Sequence, residues 1–453
     1  MDDLDPAPPA ATPLPDASTP SNGPDPQMSN PSRRRFLLGA GVSGAAVVVA
    51  GGLVWRRSSP SSPSRGESAG FATPSGIAPK DTILVVVQLG GGNDALNTLV
   101  PSDGAYLDAR PTLGIPESQR LALAGTTAFA AHPALAPVVS WWDQGRLGAV
   151  AGVGFVDQTR SHFKALDTWW SGGSTGGAPS GWLGRWLDLT ADHDPHNPLR
   201  AIALGSGAPA LRSQRAAHTV VTSLSSFAVA EPKGLTVSSL AGVRAAMSTA
   251  HDGDGPLLAA ARRAVPTTLD AVERLSVLRP TNAEEVDAAD APGGATEGSI
   301  TGLLDTAAGI LDLDLGTRVL HVSVSGFDTH ADQDSVHTRL LEDLAGGLDR
   351  FLAAMADQGR ADKVLVLTVS EFGRRVAENG SGTDHGTATT LLLAGAGVAG
   401  GRVHGEVDLS AQVDGDVPIA VDGRSVYANA LDFLGGGADE VLGGPFDRLG
   451  LLG

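Results

Sequence analysis

The sequence contains no cysteine. That excludes disulfides, thiolate metal sites and cysteine nucleophiles together, so any bound metal must be held by oxygen and imidazole donors. Basic residues are also scarce. The chain has 32 Lys and Arg against 50 Asp and Glu, a net charge of −18. A nucleic-acid binder carries a basic face, which argues against that class of partner. An acidic surface of this kind serves solubility. No internal repeat is visible. What the sequence does have is a 42% apolar content over 453 residues, enough for one large domain or two ordinary ones.

Residues 1–31 are rich in Pro, Ser, Asp and Asn and are expected to be disordered. The stretch "SRRRFLLGAGVSGAAVVVAGGLVW" follows at 32–55, with Arg33 and Arg34 ahead of Phe36, Leu37 and a long apolar run. It resembles a twin-arginine export signal, an address read by the twin-arginine translocase, and is assigned residues 32–57. No A-x-A cleavage site follows. The run over 36–55 is long enough to stay behind as a membrane tether. Residues 58–78 read as a flexible linker. Residues 79–453 read as the folded domain, with insertions at about 173–300. The expected location is extracellular or in the cell envelope.

Within that domain, apolar runs alternate with helical spacing. "TILVVVQL" (82–89), "LGAVAGVG" (147–154), "TRVLHVSVSG" (317–326), "KVLVLTVS" and "TTLLLAG" read as buried strands. Helices are predicted over 132–146, 161–172, 237–277 and 334–355, with a loop-rich excursion at 173–205 and a polar insertion at 278–299. The alternation predicts a doubly wound α/β sheet with helices on both faces.

In such sheets, functional groups gather at the carboxyl ends of strands. Four of these strand ends carry ionisable or nucleophilic residues. They are Asn93, Asp94, Asn97 and Thr98 after the first; Arg160, Ser161 and His162 after the second; Asp328, His330 and Asp332 after the third; and Glu371 after the fourth. Asp384 and His385 lead into the last strand. Asp with His suits a divalent ion such as Zn, Mn, Mg or Ca. Asp157 and His162 rank below the other candidates. Each residue also has a plainer role: Asp328 and Asp384 as turn formers, Ser161 as a helix cap, Arg374 and Arg375 as solvated charges, Asp94 as a turn support. Their recurrence at successive strand ends points to one shared metal or catalytic site.

The blocks "VVVQLGGGNDALNTLVP", "QTRSHFKALDTWWSG" and "GFDTHADQ" with "SEFGRRVAENGSGTDHGTA", together with the export signal, resemble the secreted bacterial family called domain of unknown function 1501. The resemblance spans roughly residues 80–435. That family is grouped with the alkaline phosphatase and sulfatase superfamily, which implies a three-layer α/β/α sandwich with a mostly parallel sheet around a metal site. Position by position, it implies Asp94 (or Asn93), Asp328, His330 and His385 as metal ligands and Ser161 as a nucleophile. Glu371 stands where an Asp-His pair is expected, with Phe372 in place of the His.

Three functions follow as expectations. The first is a metal-dependent hydrolase of phosphate or sulfate esters acting on an anionic small-molecule or envelope substrate. Ser161 attacks, Arg160 or Arg374 clamps the anion, and Asp94, Asp328, His330, Glu371, Asp384 and His385 surround the metal. The second is a non-catalytic envelope binding protein with a degenerate metal site. The third is a metal-free serine esterase. "GGND" resembles the Gly-x-Asn-Asp block of GDSL-type lipases, in which Asn donates to an oxyanion, but no Gly-Asp-Ser block accompanies it.

Overall fold

A computed structural model describes residues 77–173, 179–193, 197–228, 237–249, 251, 253–279 and 298–453. All of them lie in one of the chain's two compact units, Gly44–Gly453. The export signal (32–57), the disordered segment before it and nearly all of the 58–78 linker lie outside the described residues.

Twelve strands are present among the described residues: β1 (Ile83–Gly90), β2 (Leu99–Pro101), β3 (Leu121–Ala122), β4 (Phe129–Ala131), β5 (Leu147–Gly154), β6 (Ala201–Leu204), β7 (Thr219–Val221), β8 (Val319–Ser325), β9 (Val364–Val369), β10 (Thr389–Gly395), β11 (Val403–Gly405) and β12 (Val421–Asp422). Nine form one sheet in the order β11-β5-β10-β9-β1-β8-β6-β7, with β12 also paired to β5. Every pairing in it is parallel except those of β10, which runs antiparallel to β5 and β9. β2, β4 and β3 make a small second sheet.

β1 lies inside the sheet and is apolar on both faces, as a strand covered on both sides must be. Ile83, Val85, Val87 and Leu89 join one core, and Leu84 and Val86 the other. Helices α3 (Ile300–Asp312) and α4 (Gln333–Asp357) fill the first core. Helices α1 (His162–Ser171), α2 (Trp182–Leu189) and α5 (Gly423–Phe433) fill the second. The molecule is therefore a three-layer α/β/α sandwich around a mostly parallel sheet.

Two local expectations differ from the structure. The single helix predicted over 132–146 is a 3-10 segment, Pro133–Val138, followed by a short helix, Val139–Asp143. Pro137 lies inside it and lacks the N–H that an α-helical ladder needs. The 173–205 excursion contains α2 and β6. Trp182, Leu183, Trp186 and Leu187 are all buried on one side of α2, a pattern masked in the sequence by the surrounding glycines. No described helix is long and apolar enough to cross a membrane.

The direction of β10 matters for the site. Because it runs antiparallel to β9, the 370–388 loop enters from the carboxyl end of β9 and leaves at the same edge of the sheet. His385, just before β10, is thereby set beside the carboxyl ends of β1, β5, β8 and β9.

Candidate metal centre

Three histidines and one aspartate meet at this edge. His330 Nε2 lies 2.9 Å from His385 Nε2. Asp328 Oδ1 lies 3.1 Å from the first and 3.0 Å from the second. His162 is the first residue of α1, and its Nε2 lies 3.5 Å from Asp328 Oδ2. Ligand atoms of His162, Asp328 and His385 all fall within 4.8 Å of one another.

Close packing at the strand ends makes this convergence possible. Gly91 has φ +121°, and a Cβ there would lie 2.3 Å from the Asp328 nitrogen. Gly386 passes the Arg374 backbone so closely that a Cβ would lie 2.5 Å from its carbonyl carbon. Only glycine permits these approaches.

The atoms behind the rings bear on their tautomers. His385 Nδ1 faces the Arg160 carbonyl oxygen at 2.9 Å. A carbonyl can only accept, so Nδ1 carries the hydrogen. His162 Nδ1 faces Glu371 Oε1 at 2.9 Å, and His330 Nδ1 faces Asp384 Oδ1 at 3.5 Å. Each imidazole thus has an oxygen behind Nδ1 and presents Nε2 inward, the orientation metal-ligating histidines adopt. With Nδ1 protonated on both rings, the two Nε2 lone pairs at 2.9 Å, with a carboxylate beside them, repel unless a proton or a metal ion lies between. Donors each about 2.1 Å from one ion sit about 3 to 3.4 Å apart. The triangle of His330, His385 and Asp328 fits that spacing. Three imidazoles with one carboxylate favour a borderline ion such as zinc over the harder manganese, magnesium and calcium, which prefer oxygen-rich shells.

Charge supports the same conclusion. Of the three carboxylates at this edge, Asp328, Glu371 and Asp384, only Asp328 is paired with a guanidinium, that of Arg374. Burial pulls the Asp328 pKa upward. The hydrogen bond and charge of Arg374 oppose it, and the pKa lies below the usual carboxylate value. Asp328 is therefore an anion at any ordinary pH.

Several sequence-predicted residues have other partners. Arg374 is buried and does not reach out to clamp an anion. Its Nε donates to the Gly92 carbonyl, Nη1 to Thr383, and Nη2 to the Gly91 and Phe327 carbonyls and to Asp328 Oδ1 at 2.8 Å. It ties the β1, β8 and β9 loops together and holds Asp328. Arg160 is likewise engaged, pairing with the buried Asp416 through Nε at 2.9 Å and through Nη2. Asp94 is fully buried rather than open to the cluster. Its Oδ1 accepts from the Leu96 and Asn97 N–H groups, capping the Ala95–Thr98 turn, and its Oδ2 accepts from Arg110 at 2.6 Å and Gln333 at 2.5 Å. With both oxygens filled, Asp94 braces the loop and has no lone pair left for the cluster's ion. Asp384 stands behind His330, on the ring nitrogen away from the cluster, and accepts from Asn379. Glu371 touches His162 rather than the other donors.

Asn93, the oxyanion donor the esterase reading needs, is also committed. Its Nδ2 donates to Thr98 Oγ1 at 3.0 Å, and its Oδ1 lies 2.9 Å from His337 Nε2 in a buried network. Ser161 is exposed and occupies the cap position of α1, yet its side chain makes no capping hydrogen bond. Its neighbours in sequence both reach the cluster, Arg160 through its carbonyl and His162 through its ring. His162 is the member that sequence reasoning ranked too low. The available signal was its place at the first turn of the helix that follows β5.

A family model described as "Protein of unknown function (DUF1501)" matches residues 124–449, more than two-thirds of the chain. The chain belongs to the DUF1501 family. The match begins later than the residue 80 inferred from motifs, so it leaves out the Asp94 block. No curated protein matches the sequence. Among solved structures, this DUF1501 chain is similar to a protein in the alkaline phosphatase superfamily from Vibrio parahaemolyticus (TM-score 0.38, 8% identity, 83% of this chain and 72% of that one). It is also similar to the lipoteichoic acid synthase LtaP from Listeria monocytogenes (0.35, 10%, 83% and 80%). A third is the phosphonate monoester hydrolase SpPMH from Silicibacter pomeroyi (0.35, 11%, 82% and 76%). Overlap at this level carries no functional conclusion. The site's own chemistry has to supply it.

Proposed function

We propose that this DUF1501 protein is a metal-dependent hydrolase of phosphate or sulfate esters. The observation that carries the reading is the inward triangle of His330 Nε2, His385 Nε2 and Asp328 Oδ1, with His162 beside it. These four residues would hold the ion. A divalent ion there would supply Lewis-acid polarisation of a phosphoryl or sulfuryl oxygen.

The remaining work falls to the chain. Ser161 presents a hydroxyl that the helix does not use as a cap, at the amino end of the ten-residue α1. That end carries partial positive charge and N–H groups without intrahelical partners, which suit an anionic ester. Arg374 keeps Asp328 ionised and fixed. The Arg160 carbonyl and Asp384 hold the His385 and His330 rings in the orientation that exposes Nε2.

Hydrolysis of aryl phosphate monoesters, diesters and sulfates, each assayed with zinc or manganese, tests the proposal. Ser161→Ala is expected to abolish turnover while zinc affinity stays at the wild-type value and stability changes by less than about 0.5 kcal/mol, since no cap is lost. Full activity in that variant would remove Ser161 as the nucleophile. No turnover of any ester by metal-loaded wild type would favour the second reading, a metal-holding binding protein. That reading has its own support, because both candidate anion clamps, Arg160 and Arg374, are engaged elsewhere.

We also propose export by the twin-arginine route, motivated by Arg33 and Arg34 before Phe36. Changing both to Lys should leave folded protein in the cytoplasm. Unchanged export in cells lacking the translocase would refute it.

A further inference from the structure

Glu371 is only 2% exposed and lies two residues past the end of β9. Its Oε1 accepts from the Gly91 N–H at 2.8 Å and faces His162 Nδ1 at 2.9 Å. Its Oε2 is buried and has no hydrogen-bond partner among the described residues. The same side chain lines a cavity of about 10 Å³ with Gln88, Trp169, His321 and Ser370, room for about one water. Trp169 Nε1 is also unpartnered. None of His162, Asp328, His330 or His385 lines that cavity. Among the described residues, the only cluster member to which Glu371 is joined by a hydrogen bond or ion pair is His162.

We propose that Glu371 is a positioning residue that acts on the metal through His162 and is not itself a ligand. This rests on the metal-centre reading above. A histidine at the start of a helix is free to take either tautomer. With its hydrogen on Nε2, His162 would point an N–H toward Asp328 Oδ2 and have no lone pair on the side facing the cluster. The carboxylate behind Nδ1 selects the other tautomer. It also strengthens Nε2 as a donor by polarising the ring, as carboxylates do behind metal-bound imidazoles. Oε1 already takes two N–H groups, and these hold the carboxylate's orientation. The sequence position that looked like a degenerate ligand is, on this account, the support of a different one.

The test is zinc affinity, measured on the full chain by competition with a chelator. Four proteins are compared: wild type, Glu371→Gln, His162→Ala and the double variant. Glu371→Gln is expected to weaken binding about 10- to 100-fold, the usual effect of losing such a partner. In the His162→Ala background the same change is expected to alter affinity by no more than about twofold, because the path to the metal is already gone. An unchanged affinity in Glu371→Gln, or an equal loss in both backgrounds, overturns the proposal. Equal losses would make Glu371 a direct ligand. A wild-type chain that binds neither zinc nor manganese would overturn the metal-centre reading and this inference with it. Should Glu371→Gln fail to fold, nitrogen-15 spectra of histidine-labelled wild type decide. His162 protonated at Nδ1 supports the assignment, and His162 protonated at Nε2 overturns it.

Discussion

A His330→Ala/His385→Ala variant is expected to fold normally and to lose zinc affinity by more than about 100-fold, the upper end for losing only an outer partner. Both rings are at the surface edge of the site rather than in a core, and neither appears among the buried residues. Their removal therefore opens no internal cavity. Their Nε2 atoms, 2.9 Å apart, have little structural reason to face each other. In the absence of an ion, that contact is held by a shared proton or is repulsive, so the variant's stability without metal should match or exceed wild type. Adding zinc should raise the melting temperature of wild type, because a ligand that binds only the folded state stabilises it. It should leave the variant unmoved. An equal zinc response in the two proteins would show that the ion binds elsewhere.

Arg110→Ala is expected to cost about 3–5 kcal/mol of stability, the range for removing one partner of a buried ion pair. Arg110 and Asp94 are both fully buried and 2.6 Å apart. Arg110 also donates to Asn97 Oδ1 and to the Val376 and Arg375 carbonyls, so it joins the β1 loop to the loop that carries Arg374. Truncation leaves the Asp94 carboxylate buried without its main counter-charge. Burial, the largest influence on Asp94, raises its pKa. The charges of Arg110 and His337 outweigh burial and hold the pKa below the usual carboxylate value. A depressed folded pKa means this contribution is present above the unfolded value, about 3.9. It fades as pH falls below that value and is lost through the folded one. The penalty of Arg110→Ala should therefore be largest at neutral pH and above and shrink on acidification, beginning above the unfolded value because the unpaired, buried Asp94 of the variant takes up its proton first. Urea denaturation of the metal-free protein at several pH values measures this. A loss below about 1 kcal/mol at pH 7 would show that the pair is not the brace described.

The layers of the fold were legible because they depend on local patterns. The apolar runs that became β1, β5, β8, β9 and β10 are continuous, as strands buried on both faces must be, and α4 carries its apolar residues at helical spacing. The site was harder to read, since a residue type at a strand end does not reveal where its atoms point. Asp328, His330 and His385 were picked out by their place in the chain, and the geometry brings them together. Arg374 and Asp94 were picked out by the same reasoning, yet they are turned inward to carbonyls, a guanidinium and an amide. Chemistry alone does not separate a charge that serves a ligand from one that ties loops together. Burial does, and burial of a loop residue is set by distant segments such as Arg110 and Gln333. His162 was ranked low for the opposite reason. Its value lies in Glu371, some 200 residues away in sequence, a pairing that no local pattern announces.

The proposed activity depends on a metal ion held by His330, His385 and Asp328 with His162 beside them. The most direct measurement is an anomalous difference map from crystals of the full chain grown with zinc, with data collected on both sides of the zinc absorption edge. One peak is expected at the carboxyl edge of the sheet, about 2.0–2.2 Å from His330 Nε2, His385 Nε2 and an Asp328 oxygen. No peak there, with the three donors ordered as described, would contradict it.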